Sequence, residues 1–205
     1  MVVPSSFDKI KPSKKVPHKI YQAPYKPGFL EDTVIPLELE GKMMEVLFKM
    51  SKIQETLCES ALNSTEVLKE LKNYDLIIYD SGAFCAALIG ELLKIQRIEL
   101  FPYTPNSPDA FYHMIPSPIS YVPQLPTGFT DKMTFKKRLM NLGSYIGERL
   151  FLSIVYNRPM NALKMRYDIT PERSFEEAVA EVELLLIMAD FALEYPQPLL
   201  PGENS

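Results

Sequence analysis

A chain of 205 residues is long enough for one large domain or two small ones. Its 46% hydrophobic and 23% charged residues exclude a disordered or collagen-like polymer. Twenty-two Lys and Arg against 26 Asp and Glu leave a net charge of −4; the nearest thing to a basic patch, Lys132 to Arg138, wraps around a helix, so no nucleic-acid partner is expected.

The chain opens on Val2-Val3-Pro4, which reads as the tail of a strand running straight into a loop. Domains rarely begin half way along a buried strand, so a truncated chain is expected. Met1 to Ser6 has neither the basic start nor the apolar stretch of a signal peptide. His18 to Tyr21 is a short strand between Pro17 and Pro24. Leu39, Met43, Val46, Met50, Ile53 and Leu57 recur at helical spacing and predict one helix. A shorter helix spans Thr65 to Lys72, with Asn63 as its cap and Glu66 in capping-box register. Asn63-Ser64-Thr65 also matches the N-glycosylation acceptor pattern, which matters only in a chain that enters the secretory pathway.

Leu76 to Tyr79 is a continuous apolar run bounded by Asp75 and Asp80. A helix from about Ala83 to Lys94 and a strand from Ile98 to Phe101 complete a βαβ unit, whose crossover makes the two strands parallel. From Pro102 to Thr130 the chain carries seven prolines and no regular period. Tyr103, Phe111, Tyr112 and Tyr121 argue that this loop is ordered and functional rather than disordered. Thr130-Asp131 starts the longest helix, with Asp131 at its positive end. Phe135, Leu139, Leu142, Ile146, Leu150 and Ile154 are expected to form its buried stripe, and Pro159 ends or kinks it. Ser174 to Glu183 is another helix, with Ser174 and Glu177 in capping-box register, and Leu184 to Met188 is the last strand before the extended exit Tyr195 to Pro201. The order is α/β, with most strands buried on both faces.

The longest apolar run, Ala83 to Ile89, falls short of the roughly 20 residues a membrane-spanning helix needs. Cys58 and Cys85 fit no metal motif and are too few for a disulfide scaffold; buried, inert thiols are expected. No metal site is expected. There is no glycine-rich phosphate loop, so the chain either binds no nucleotide or leaves that task to another domain. Asp80 is the chemically suggestive position, because a buried strand of a parallel sheet ends there and a helix begins. A carboxylate at that point either orients and stabilises a partner imidazole or merely caps the helix, a use open to Ser81 as well. His18 begins a strand and His113 lies in the proline-rich loop; both are expected at the surface.

Three stretches resemble the N-terminal half of the UDP-glycosyltransferase (UDP-glucuronosyltransferase-like) family. They are Tyr74 to Asp80 with Cys85 shortly after; Ser120-Tyr121-Val122-Pro123 with Thr130 to Phe135, Arg138 and Asn141; and Ala189 to Pro196 with Pro198 to Pro201. The wording of Thr130 to Arg138 and Leu193 to Pro196 leans toward the ceramide galactosyltransferase-like branch. The resemblance implies a Rossmann-like parallel sheet flanked by helices, the acceptor-binding half of a two-domain GT-B enzyme. Residues 1–205 would form that one domain, truncated at both ends, without its first strand and helix and without the donor-binding C-terminal domain. The implied activity is transfer of a hexosyl or glucuronosyl group from a UDP-sugar to the hydroxyl of a small lipophilic acceptor, with inversion. UDP-sugar is then a co-substrate bound by the other half, and no cofactor is expected.

The resemblance puts Asp80 on the family's catalytic aspartate and leaves His18 and His113 off its histidine base. The turn departs from the family wording, with Ala83-Phe84-Cys85 where Phe-Pro-Cys is usual. Phe111, Tyr112, Tyr103 and His113 are the acceptor-binding candidates, because the loop leaves the same sheet edge as Asp80 and its aromatics suit a lipophilic hydroxyl compound. Full-length family members are endoplasmic-reticulum membrane proteins with their bulk on the lumenal side. The chain by itself is expected to transfer no sugar, and exposed strand edges and helix faces around Leu76 to Tyr79 should make it self-associate. A homo-oligomer is left open. The rival reading is a non-catalytic truncated form that binds acceptor or partner chains; an unrelated flavodoxin-like module requires all three matches to be chance.

Overall fold

The computed structural model describes residues 1–7, 15, 19–105, 107–124, 127–188, 190 and 198. Two parallel sheets carry the chain. The first pairs β1 (Val2–Pro4) with β2 (Lys19–Tyr21), placing Val3 opposite Ile20. The second has the order β3 (Leu76–Asp80), β4 (Gln96–Phe101), β5 (Leu184–Ile187), with Ile78 opposite Ile98 and Leu100 opposite Leu186. The expected βαβ unit is present, since β3 and β4 run parallel and are joined by α5 (Cys85–Leu93).

Along the chain β2 and β3 are joined by α1 (Phe29–Thr33), α2 (Ile35–Leu39), α3 (Met43–Asn63) and α4 (Thr65–Leu71). The single helical stripe expected from Leu39 to Leu57 is broken. Leu39 ends α2, Gly41 takes a positive φ of 71°, and α3 begins afresh at Met43. Val46 and Ile53 of α3 then pack with Val34 into a small core. Asn63 does not cap α4. It is the last residue of α3, and its Oδ1 accepts a hydrogen bond from the Tyr167 hydroxyl at 2.9 Å.

The proline-rich segment contains α6 (Ser107–Tyr112), and α7 (Phe135–Leu152) follows it. Thr134, rather than Asp131, caps α7; its hydroxyl accepts from the Lys137 amide, so the helix starts four residues later than expected. A π-helical turn, Ser153–Asn157, passes directly into α8 (Arg158–Arg166), where Pro159 sits in the first turn and needs no amide donor. α9 (Phe175–Ala180) carries the capping box: the Ser174 hydroxyl accepts from the Glu177 amide, and the Glu177 carboxylate accepts from the Ser174 amide.

The main core joins Cys58, Ala61 and Leu62 of α3, Ala87 to Ile89 of α5, Met160 and Leu163 of α8, and Phe175 and Ala178 of α9. A second cluster holds Phe101, Ala110, Ile115, Leu185 and Ile187. Three expectations about burial are overturned. α7 buries only Asn141, and its apolar stripe faces outward, because the residue that docks into the fold is a polar one. β3 is not buried on both faces: Leu76 and Ile78 are exposed, because a cleft opens beside that strand. Cys58 and Cys85 are a disulfide with Cα atoms 5.0 Å apart, because α3 crosses the start of α5 at that point.

Candidate functional site

β3 delivers Asp80 to its C-terminal end, and the chain then turns sharply. The Ala83 amide donates to the Asp80 carbonyl at 2.8 Å, and the Gly82 amide donates to Asp80 Oδ1 at 2.9 Å. Asp80 therefore closes its own turn. It does not cap α5, whose cap position is Phe84 and receives no side-chain bond. A Cβ on Gly82 would lie 3.1 Å from Asp80 Oδ1, a tight contact that would displace the carboxylate by a few tenths of an ångström. The exposed carboxylate leaves Oδ2 and the outer lone pairs available to an incoming donor.

Helix α3 braces this turn from behind. Gln54 Nε2 donates to the Gly82 carbonyl at 2.6 Å, and Cys58 is bonded to Cys85 three residues further on. Ser81 is buried, and its amide donates to the Leu100 carbonyl at 2.9 Å, which extends the β3–β4 ladder to the edge of the turn. In front of the turn lies a cleft of about 760 Å³ between β1 and β3. Met1 to Pro4 line one side, Leu76 to Asp80 line the other, and Tyr21, Cys58 and Cys85 close the floor. Among the described residues neither strand has a ladder partner on the cleft side, since β1 pairs with β2 and β3 with β4. A lane lined by β1 and β3 is thus left open between the two sheets.

Of the four loop residues proposed for acceptor contact, Phe111 and Tyr112 share a hollow that Tyr103 and His113 do not line, and no described residue of 102–130 lines the Asp80 cleft. Hydrophobic burial folds the loop away from it: Phe101 draws Ala110 and Ile115 into the second core cluster. Phe111 and Tyr112 border a separate hollow of about 290 Å³, with Arg149, Leu150, Asn157 and Glu176. The Arg149 guanidinium lies 3.2 Å from the Phe111 ring centroid. Tyr112 belongs mostly to the main core, and its hydroxyl donates to Asn157 Oδ1 at 2.6 Å. Tyr103 meets Phe101 edge-on at 6.2 Å between ring centroids.

His113 is not at the surface. It is buried edge-on against Phe101 with Nε2 3.2 Å from Glu99 Oε2, the same oxygen that accepts the Tyr79 hydroxyl at 2.9 Å. Burial, and then the Glu99 carboxylate, push the Tyr79 phenol far up, so Tyr79 stays protonated and donating. His18 and most of the third motif stretch, Ala189 to Pro201, lie outside the described residues.

Two further groups at this edge carry no local motif in the sequence. Glu99 and Arg97 are charged residues that alternate with Phe101 on the buried side of β4. Arg97 Nη1 donates to the carbonyls of Ala87 and Ala178 at 2.8 and 2.7 Å, and Nη2 donates to that of Glu181. A charge at alternate positions of an otherwise apolar strand was the available signal, because such a residue is buried only if fully paired. Among the described residues no group of three or more His, Cys, Asp or Glu side chains could hold a metal ion. No described helix is long and apolar enough to cross a membrane.

Residues 15–204 match the family model described as UDP-glucoronosyl and UDP-glucosyl transferase. The chain is 32% identical over 182 residues to human (Homo sapiens) UDP-glucuronosyltransferase 3A1, covering 83% of this chain and 33% of that protein. It is 26% identical over 200 residues to human 2-hydroxyacylsphingosine 1-beta-galactosyltransferase, covering 91% and 36% respectively. It is 30% identical over 165 residues to UDP-glucuronosyltransferase 2C1 of Oryctolagus cuniculus, covering 79% and 33%. The chain thus spans about a third of the length of the curated relatives it matches. No solved structure matches it.

Proposed function

The chain belongs to the family of UDP-glucuronosyl and UDP-glucosyl transferases, and from that premise we propose that it is the acceptor-side half of a two-domain UDP-glycosyltransferase of the GT-B type. The reaction is transfer of a hexosyl or glucuronosyl group from a UDP-sugar to the hydroxyl of a small lipophilic acceptor. The full-length enzyme works on the lumenal side of the endoplasmic-reticulum membrane, and its other half binds the UDP-sugar.

One observation carries this reading: an exposed carboxylate, Asp80, is held in a braced turn at the C-terminal end of a parallel strand, facing a cleft. Asp80 accepts the N–H of a histidine supplied from beside the cleft. That histidine removes the proton of the acceptor hydroxyl as its oxygen attacks the anomeric carbon and UDP departs from the opposite face. The carboxylate fixes the imidazole tautomer and stabilises the imidazolium that forms. A single displacement inverts the anomeric centre.

Kinetics of the full-length enzyme test the assignment. Asp80→Asn keeps the turn but loses the negative charge, and kcat should fall roughly 10²–10⁴-fold with acceptor KM nearly unchanged. Phe111→Ala should instead raise the acceptor KM or change acceptor preference. Full kcat in Asp80→Asn would remove Asp80 from the mechanism, and an unchanged acceptor profile in Phe111→Ala would remove the Phe111 hollow from acceptor binding.

A further inference from the structure

Asn63-Ser64-Thr65 is the one place in the sequence where an asparagine stands two residues before a serine or threonine with no proline between them. Three such residues at the junction of two helices would ordinarily serve as caps. None of their side chains does. Asn63 is the last residue of α3. Ser64 holds the cap position of α4 at φ −79° and ψ 86°, but its side chain makes no capping bond. The backbone closes both helix ends by itself: the Ser64 amide donates to the Ala61 carbonyl at 3.1 Å, and the Leu68 amide donates to the Ser64 carbonyl at 3.0 Å. Asn63 and Thr65 are exposed, and among the described residues the Thr65 hydroxyl has no protein partner.

The Asn63 amide nevertheless has a defined orientation. The Tyr167 hydroxyl donates to its Oδ1 at 2.9 Å, and Tyr167 is itself packed against the main core. The amide is planar, with oxygen and nitrogen on opposite sides. Holding Oδ1 against the body of the protein therefore turns Nδ2 away from it. Among the described residues nothing accepts a hydrogen bond from Asn63 Nδ2. The contrast with Asn141, Asn157 and Asn161 is complete, since each of those amide nitrogens donates within the fold. A bulky sugar on Nδ2 of Asn63 would thus displace no internal bond, and the Oδ1 bond to Tyr167 would survive it.

We propose that Asn63 is an acceptor for an N-linked glycan, a reading that rests on the lumenal placement proposed above. The co-substrate is an oligosaccharide carried on a lipid diphosphate. Asn63 Nδ2 attacks C1 of that oligosaccharide and a C–N bond forms. The bond from C1 to the diphosphate oxygen breaks, its electron pair leaves on the lipid diphosphate, and one amide proton passes to a base of the transferase. Thr65 supplies the hydroxyl that the acceptor pattern requires. The glycan projects from the α3–α4 junction. Asn63 lines neither the Asp80 cleft nor the Phe111 hollow, so both stay open.

Two expressions in mammalian cells separate the site from the location. The 205-residue chain fused behind a secretory signal brings Asn63 to the lumen whatever its natural route. The full-length enzyme with no added signal reports the natural route. Peptide N-glycosidase should move the signal-fused chain to lower mass in a single step. Peptide mass spectrometry should then find an aspartate in place of Asn63 in both proteins. Thr65→Ala keeps the bond to Tyr167 and should abolish the shift, whereas Thr65→Ser should retain it. In the full-length enzyme, Thr65→Ala should leave kcat and acceptor KM at their wild-type values. An unshifted signal-fused chain, or a shift that survives Thr65→Ala, would overturn the proposal. Modification of the signal-fused chain alone would uphold the Asn63 site and overturn the lumenal placement.

Discussion

Asn141 shows how much one buried amide organises. It joins the middle of α7 to residues 119–124, and without it the Gln124 amide and the Ile119 carbonyl lose this bond while the Val122 carbonyl keeps only the one from Gln124 Nε2 at 3.3 Å. Asn141→Ala should cost about 1–3 kcal/mol by denaturant unfolding, the penalty of a buried polar group left without its hydrogen bonds. A neutral result would mean that water replaces the amide. Tyr21 supplies a pH test with a definite sign. Burial pushes its phenol from 10.0 up to about 12. The folded chain therefore holds that proton more tightly than the unfolded chain. The stability is fully present below pH 10.0 and is lost as pH rises from 10.0 to about 12. Tyr79 shifts in the same direction. Denaturant melts across this window should show a steeper alkaline loss for wild type than for Tyr21→Phe; equal slopes would refute the assignment.

α3 acts as a brace. It contributes Gln54 to the Gly82 carbonyl, Cys58 to the disulfide, and Ser51 to the Val155 carbonyl of the π-helical turn. The disulfide closes a loop with a sequence separation of 27, for which the chain-entropy model gives about 3.5 kcal/mol. Cys58→Ala/Cys85→Ala should lower stability by about that amount, read from denaturant midpoints against the oxidised chain. A loss below about 1 kcal/mol would show that the reduced, unfolded chain stays locally compact. α5 meets β4 just as closely. A Cβ on Gly90 would lie 2.3 Å from Arg97 Cδ, so the glycine is the passage through which Arg97 reaches the carbonyls of Ala87 and Ala178. The buried Lys164–Glu91 ion pair then ties α8 to α5, with Arg173 Nη1 3.9 Å from Glu91 Oε1.

Across the whole molecule, ladder bonding is uneven. β4 is paired on both sides, whereas β1 and β3 each have one side open to the cleft. Amide hydrogen exchange should therefore be slowest along Gln96 to Phe101, and alternate amides of Leu76 to Asp80 should exchange much faster. Uniform protection of β3 would mean that the cleft closes in solution. The exposed Leu76 and Ile78 beside that lane, together with the outer row of α7, give the chain two separate apolar surfaces. Substitutions at Ile78 and at Ile146 should therefore act independently.

Periodicity and local chemistry made much of this architecture legible before any coordinates. The run Leu76 to Tyr79, the apolar helix after Asp80 and the strand ending at Phe101 form a parallel βαβ unit, as observed. The Ser174–Glu177 capping box is likewise present, because its partners lie three residues apart and need nothing distant. The position of Asp80 at the end of a strand was legible for the same reason. Partnerships between distant segments were not legible. Nothing local to Cys58 or Cys85 reveals that α3 crosses the start of α5, and nothing local to Glu99 reveals that Tyr79 and His113 converge on it. The outward row of α7 makes the distinction clearest. Helical spacing tells which side chains share a face, but the direction of that face depends on what the rest of the chain offers it. Here three hydrogen bonds to Asn141 outweighed the apolar row in setting the rotation of the helix.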